Sequence, residues 1–199
     1  MTRALIISLY DLGHQPYELL QLDAALTQAE ITSSIIDLSI TAMSELKNFD
    51  LKETYVIISV PMHTAARLAL SVLEALNQWD NRPQITLMGH YAEAMSTLPL
   101  PIEVTMFASG EAIDPIVDNI CSRIKSRGDV DGQASAIHVN TTTSSRRLKL
   151  IDFPLHREKL PSLDQYTSYI DNEKMKVAGY VEASRGCLHH CTHCPRCKR

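Results

Sequence analysis

The residues best suited to chemistry are cysteines, and they are concentrated near the carboxyl end of the chain. The sequence has five cysteines, and four of them lie among the last 13 residues, at Cys187, Cys191, Cys194 and Cys197. Thiolates at such short spacings are typical of metal sites in reducing compartments, where disulfides are rare. This segment therefore predicts a bound metal ion or an iron–sulfur cluster.

The spacing Cys-x3-Cys-x2-Cys favours an iron–sulfur cluster over a single metal ion. Three thiolates, from Cys187, Cys191 and Cys194, can ligate three irons of a [4Fe–4S] cube and leave the fourth iron open to a small molecule. An open iron is suited to activating a bound cofactor as well as to carrying an electron. Two interpretations of Cys197 stay open. Either it is not a ligand, or it is a fourth ligand that would occupy the free coordination position of the fourth iron.

A zinc site is the alternative interpretation of the same segment. His189, His190 and His193 lie between the cysteines, and zinc accepts tetrahedral sets of sulfur and nitrogen ligands. Zinc modules usually separate two ligand pairs by a dozen or more residues, whereas here every ligand lies within residues 187–197. This close spacing of the ligands favours an iron–sulfur cluster over a zinc site.

Upstream of the cysteines, short apolar segments alternate with helical patterns. We predict strands over residues 4–10, 31–38, 54–60, 84–88 and 103–108, and helices over residues 17–29, 63–78, 91–97 and 112–125, with a short helix or turn over 41–47 and a further short strand over 138–140. Nearer the cysteines we predict a helix over 162–170 and a short strand over 179–182. Strands that are apolar throughout indicate a parallel sheet covered on both faces. The predicted fold class is α/β, with a doubly wound, five-stranded, Rossmann-like (flavodoxin-like) parallel sheet.

Ligands of open parallel sheets bind at the carboxyl ends of the strands, so the loops that follow the strands hold the candidate cofactor-binding residues. These residues are Asp11, His14, His63, Thr64, Gly89, His90, Gly110 and Glu111. Ordinary exposed loop histidines are the alternative interpretation. Met62, Met88 and Met106 near the strand ends are candidates for soft contact with a ligand or for core filling. No Gly-x-Gly-x-x-Gly turn follows the first strand, so a dinucleotide is not indicated.

The cysteine segment resembles the cluster motif of radical S-adenosylmethionine enzymes, in which Ser184-Arg185-Gly186-Cys187 precedes the other two cysteines. Two upstream stretches resemble the usual lead-in to that motif: Leu160-Pro161-x-Leu163 and Gly179-Tyr180-Val181-Glu182. An α/β domain followed by this motif is similar to the cobalamin-binding-domain radical S-adenosylmethionine proteins, among them the subgroup named for its CUAEP/CCAEP tail.

The resemblance implies a set of cofactors and roles. Cys187, Cys191 and Cys194 would ligate a [4Fe–4S] cluster, and its open iron would bind S-adenosyl-L-methionine. Reductive cleavage would then give a 5′-deoxyadenosyl radical, with methyl transfer as the implied reaction if cobalamin carries the methyl group. Many cobalamin domains carry Asp-x-His-x-x-Gly, whereas this chain has Asp11-x-Gly13-His14. Cobalamin is therefore expected to be held without a protein histidine, or not to be bound.

The resemblance also implies a domain organisation. Residues 1–126 form the cobalamin-binding-like α/β domain, residues 127–176 a linker, and residues 177–199 the first strand and cluster loop of a barrel. Only five residues follow Cys194. We therefore expect a truncated barrel in an inactive fragment, or a barrel completed by another polypeptide.

The composition of the chain limits the classes of binding partner that we expect. The chain has 23 acidic and 19 basic residues and a net charge of −4, which argues against nucleic acid as a partner. No run of 18 apolar residues occurs, and the apolar stretch at residues 4–10 is too short for a signal peptide, so we expect a cytoplasmic protein with no membrane contact. The expected partners are small-molecule cofactors. The alternative function is a non-enzymatic corrinoid- or small-ligand-binding module with a zinc-binding Cys/His tail.

Overall fold

A parallel sheet of six strands organises the chain. The computed structural model describes residues 3–49, 54–79, 83–109, 112–125, 136–140 and 155–181. Its strands are β1 (Arg3–Ser8), β2 (Thr32–Asp37), β3 (Thr54–Ser59), β4 (Gln84–Met88), β5 (Met106–Ser109) and β6 (Ile137–Asn140). Their order across the sheet is β2-β1-β3-β4-β5-β6, and every neighbouring pair is parallel.

Four helices cover the two faces of this sheet. They are α1 (Tyr17–Gln28), α2 (His63–Asn77), α3 (Ala92–Met95) and α4 (Ile113–Lys125). One core contains buried side chains of α2 and α3, and the other contains those of α1 and α4. A 3₁₀ turn over Met43–Asn48 stands between β2 and β3 in place of a full helix. Prolines fit the helix starts, because Pro16 precedes α1 and Pro115 lies in the first turn of α4.

The strands are apolar throughout because alternate side chains enter different cores. In β1, Leu5 and Ile7 pack towards α2, whereas Ala4 and Ile6 pack towards α1. A parallel strand buried on both faces has this composition. Cys121 of α4 is half-buried against the core formed with α1, as expected for a structural cysteine.

The predicted α/β class and the doubly wound arrangement are confirmed in the described residues. The first five strands have the flavodoxin-like order 2-1-3-4-5, and β6 adds a sixth strand where a short one was predicted. The fifth strand is shorter than predicted and starts at Met106. Ile102 and Val104 are buried outside any strand, so their apolar character reflects packing and not sheet pairing.

The described part after β6, residues 155–181, is called here the strap. It contains 3₁₀ turns at Arg157–Lys159 and Leu163–Gln165, then an antiparallel hairpin of β7 (Ser168–Asp171) and β8 (Lys174–Val177). The hairpin turn residues Asn172 and Glu173 both have positive φ, at 48° and 62°, as a tight two-residue turn requires.

Two sequence predictions for the strap were wrong. The helix predicted over 162–170 is replaced by the second 3₁₀ turn and by β7, because residues 168–171 pair with residues 174–177 in the antiparallel hairpin. The strand expected over 179–182 is absent from its described residues 179–181. No helix among the described residues is long and apolar enough to cross a membrane.

Candidate functional site

The carboxyl edge of the sheet is the candidate ligand site because all six strands end there. The chain passes from β1 outward to β2 and then returns to the other side of β1 to form β3. Loops after β1 and β3 therefore leave the sheet in opposite directions, and a crevice between such loops is the usual ligand position in doubly wound folds. We call this crevice, between the loops after β1 and β3, the switch crevice.

The loops after β3 and β4 are bonded to each other. The Val60 amide donates to the Met88 carbonyl at 2.7 Å, and the Tyr91 amide donates to the Val60 carbonyl at 3.1 Å. Gly89 lies between them with φ +112°, and a Cβ at this position would stand 2.9 Å from the carbonyl carbon and oxygen of Val60. Glycine is thus required for this close approach of two loops.

Four predicted site residues belong to this pair of loops: Gly89, His63, Thr64 and His90. His63 and His90 are exposed, and Thr64 is half-buried. His63 Nε2 lies 3.5 Å from Thr64 Oγ1, and its ring centroid lies 6.5 Å from that of Tyr91. One wall of the switch crevice therefore offers imidazole and hydroxyl groups that can hydrogen-bond amides or phosphates of a ligand.

The loop after β1 places the other two described candidates, Asp11 and His14. The His14 amide donates to the Asp11 carbonyl at 2.8 Å, and Leu12 and Gly13 between them have positive φ. The His14 ring stacks on Tyr180 of the strap, with centroids 5.1 Å apart and planes inclined by 18°. One face of this imidazole is therefore covered by the chain itself.

The remaining predicted site residues lie outside the described residues: Gly110, Glu111, Cys187, Cys191 and Cys194. Within the described part of the chain, no three His, Cys, Asp or Glu side chains are placed to hold a metal ion. Of the methionines near the strand ends, Met88 and Met106 have no exposed surface and fill the core between α1 and α4. Soft contact with a ligand at these two positions is therefore wrong, and Met62 is half-buried.

Three serines at the crevice edge were missed by the sequence analysis. Ser8, Ser59 and Ser109 are the last residues of β1, β3 and β5, and all three are buried at the carboxyl edge. The signal in the sequence was weak, because Ser8 and Ser59 lie within apolar runs that continue to residues 10 and 60. A hydroxyl in this position is suited to contact with a polar group of a ligand seated on the sheet edge.

The sequence analysis also missed the residues that bind the strap to the α/β domain. Asp37, the last residue of β2, is buried and accepts hydrogen bonds from the Ser39 amide and hydroxyl at 3.0 and 2.7 Å. Its other oxygen accepts from the Tyr166 hydroxyl at 2.9 Å. Burial raises the pKa of Tyr166 far above its usual value, and the charge and hydrogen bond of Asp37 raise it further.

Asp23 of α1 forms a second polar contact with the strap. Its side chain is 0% exposed, and its Oδ1 accepts from Lys159 Nζ and from Ser33 Oγ, each at 2.6 Å. Its Oδ2 is buried and has no hydrogen-bond partner among the described residues. The positive charge of Lys159 is therefore the main compensation for a carboxylate removed from water.

An open groove of about 430 Å³ runs beside β2, between the 3₁₀ turn and the strap. Its lining includes Asp37, Phe49, Lys159 and Leu160. The groove lies at the outer edge of the sheet and not in the switch crevice, so it is separate from the predicted site.

No protein-family model matches this chain, and neither a curated protein nor a solved structure matches it. Function is therefore inferred from the residues and geometry of the chain itself.

Proposed function

We propose that this chain is part of a cobalamin-binding-domain radical S-adenosylmethionine protein. The observation that carries the proposal is the Cys-x3-Cys-x2-Cys spacing of Cys187, Cys191 and Cys194. The α/β domain would bind a corrinoid at the switch crevice, and the cysteines would hold a [4Fe–4S] cluster. We assign to this chain the two binding steps. Substrate choice and radical chemistry belong to the proposed complete enzyme.

The donor set fits the cluster. Three thiolates satisfy three irons, so one iron keeps a free coordination position for the amino and carboxylate groups of S-adenosylmethionine. When bound, such a cluster supplies the electron for reductive cleavage of S-adenosylmethionine to methionine and a 5′-deoxyadenosyl radical. Thiolate ligands persist only where cysteine stays reduced, which supports a cytoplasmic location in this proposal.

The geometry of the switch crevice is compatible with a broad, amide-rich ligand such as cobalamin. Gly89 keeps the loops after β3 and β4 in contact, so His63 and His90 stand on one continuous wall. Strand-end hydroxyls, such as that of Ser59, lie at the floor of the same edge. These groups would orient the ligand through hydrogen bonds to its side-chain amides and its nucleotide tail. The spacing Asp11-x-Gly13-His14 departs from the Asp-x-His-x-x-Gly of cobalt-ligating domains, so we assign His14 no role as a cobalt ligand.

Anaerobic reconstitution with iron and sulfide tests the cluster. We expect a brown protein with about four irons and four sulfides per chain. Replacing Cys187, Cys191 or Cys194 by serine should abolish the colour, whereas Cys121→Ser is the matched control and should keep it. Cys197→Ser decides whether that residue is a fourth ligand. A colourless protein that binds one zinc per chain would contradict the proposal and support the zinc-binding module instead.

Titration with hydroxocobalamin tests the corrinoid half of the proposal. We expect a shift of the visible spectrum that saturates with a Kd in the tens of micromolar or tighter, which corresponds to about 6–7 kcal/mol or more of binding free energy. Gly89→Ala should weaken this binding because the two loops can no longer meet. An unchanged spectrum at several hundred micromolar protein would contradict corrinoid binding and leave the cluster assignment to the reconstitution experiment.

A further inference from the structure

The loop after β1 is bound to the strap at three successive residues. The Thr167 amide donates to the Gly13 carbonyl at 2.9 Å, and a Cβ on Gly13 would collide with the Thr167 hydroxyl. Gln15 Nε2 donates to the Pro161 carbonyl at 2.9 Å. His14, between these two, stacks on Tyr180. One wall of the switch crevice is therefore occupied by another segment of the same chain.

Tyr180 is held by a small aromatic and cationic cluster. Its ring stands edge-on to Tyr17, with centroids 6.3 Å apart, and its carbonyl accepts a hydrogen bond from Arg157 at 2.8 Å. The Arg157 guanidinium lies 5.7 Å from the centre of the Tyr17 ring and also donates to Gln15 at 2.9 Å. These contacts are half-exposed, so each of them is weak compared with a buried polar contact.

The strap divides into an anchored half and a releasable half. Residues 155–167 are fixed by the buried contacts of Lys159 with Asp23 and of Tyr166 with Asp37. Residues 168–181 lack comparable burial: Ile170 and Met175, a cross-strand pair of the hairpin, are each 77% exposed. Release of Tyr180 would therefore leave the anchored half in place.

We propose that Tyr180 is a releasable cover of His14, which competes with the ligand of the switch crevice and so couples ligand binding to the freedom of the cysteine-bearing segment. The proposal rests on the corrinoid-binding function proposed above. Tyr180 stands seven residues before Cys187, so these two residues can be no more than about 25 Å apart. In this proposal a ligand that displaces Tyr180 also breaks the hydrogen bond from Arg157 to the Tyr180 carbonyl, and by linkage release of Tyr180 favours ligand binding.

Tryptic cleavage after Arg185 tests the cover without any ligand. Arg185 is the first trypsin site after Tyr180, and a protease requires extended chain on both sides of the bond it cuts. Cleavage should be about three- to tenfold faster in Tyr180→Ala, because the rate follows the population of the released state. Tyr180→Phe keeps the ring and should cleave like the unaltered chain. Tyr169→Ala removes an exposed hairpin tyrosine and controls for nonspecific effects.

Hydroxocobalamin titration of the same variants tests the competition. Tyr180→Ala should bind about three- to tenfold more tightly than the unaltered chain, and Tyr180→Phe should bind like it. Reciprocally, saturating hydroxocobalamin should raise cleavage after Arg185 in the unaltered chain towards the rate of Tyr180→Ala.

The outcomes of these experiments distinguish a failure of the Tyr180 cover from a failure of corrinoid binding. Equal affinities in Tyr180→Ala and Tyr180→Phe, with cleavage unaffected by the ligand, would overturn the cover and leave corrinoid binding intact. No binding by any variant would overturn corrinoid binding. In that case only the tryptic cleavage experiment tests the cover, and equal cleavage rates in Tyr180→Ala and Tyr180→Phe would overturn it.

Discussion

At the scale of single residues, Gly89 affects both the stability of the fold and the geometry of the candidate site. Its positive φ and its approach to the Val60 backbone leave no space for a side chain. We expect Gly89→Ala to lower the free energy of unfolding by about 2 kcal/mol or more, because strained φ alone costs about 1–3 kcal/mol and the contact adds to it. Urea unfolding followed by circular dichroism measures this change.

Gly179→Ala is the matched control for that experiment. Among the described residues, a Cβ on Gly179 would meet a side-chain atom of Leu163 at 4.0 Å, which is an ordinary contact. Its effect on unfolding should stay within about 0.5 kcal/mol. Equal losses of stability in the two variants would show that the loop contact at Val60 is not the cause.

The Tyr166 hydroxyl is the hydrogen-bond donor to one oxygen of the buried Asp37 carboxylate. Tyr166→Phe leaves that oxygen without this donor, so we expect a loss of about 1–3 kcal/mol of unfolding free energy at neutral pH. Tyr169→Phe, on the exposed hairpin, should change stability by less than about 0.5 kcal/mol. Chemical unfolding of the three proteins at pH 7 checks the prediction.

The same hydroxyl makes stability depend on alkaline pH. The pKa of Tyr166 is raised in the folded chain, first by burial and then by Asp37, so the unfolded chain loses this proton first. The contribution is complete below about pH 10 and should then fall by up to about 1.4 kcal/mol per pH unit. The stability gap between the unaltered chain and Tyr166→Phe should narrow from pH 9 to pH 11. A constant gap would contradict the raised pKa.

At the scale of elements, a buried ion pair fixes the strap to α1. Lys159→Met removes the cation from Asp23, a carboxylate with no exposed surface and one oxygen already unpartnered. We expect a loss of about 3 kcal/mol, and recovery of at least half of it when Asp23→Asn is added, because the uncompensated charge is then gone. A double-mutant cycle in urea measures both values.

Lys176→Met is the matched control on the hairpin. Lys176 pairs with Asp171, and both side chains are largely exposed. Exposed ion pairs contribute little, so the loss should be below about 1 kcal/mol. If the two lysine variants were equally destabilised, burial of Asp23 would not be the source of the effect.

Elements of the α/β domain were predictable because their signals are local. The run at residues 84–88 and the Ala- and Leu-rich run at 63–78 were placed to within a residue, as β4 and α2. Right-handed crossovers then fixed the strand order, and with it the loops that hold Asp11, His14, His63 and His90 at one edge.

The contacts of the strap were not predictable because they are not local. Nothing around Lys159 marks it as the partner of Asp23, which is 136 positions earlier in the sequence. The hairpin was missed for another reason: four-residue strands with a turn of Asn172 and Glu173 carry weak periodicity and no glycine. The cysteine segment was singled out by its spacing, and the cluster expected there stays a prediction because Cys187, Cys191 and Cys194 lie outside the described residues.

At the scale of the whole molecule, we expect the α/β domain and the strap to unfold as one unit. A chain that ends at residue 154 lacks Lys159, the cation beside Asp23, and Tyr166, one of the donors to Asp37, so we expect it to lose at least about 4 kcal/mol or to show no cooperative unfolding. A chain that ends at residue 181 keeps both contacts and should unfold within about 1 kcal/mol of the full chain. Stable, cooperative folding of the shorter chain would contradict this view.

The long separations in sequence also set an order of events during synthesis. Asp23, Asp37 and Gln15 bond to residues that are made 136, 129 and 146 positions later. At about 5–20 residues per second, a ribosome needs roughly 6 to 30 seconds to deliver those partners. Throughout that interval Asp23 lacks the cation of Lys159 and Asp37 lacks the Tyr166 hydroxyl, although Ser33 and Ser39 can already donate to them. A translational pause between codons 126 and 166 would lengthen the interval in which chaperones and proteases have most access to the incomplete nascent chain.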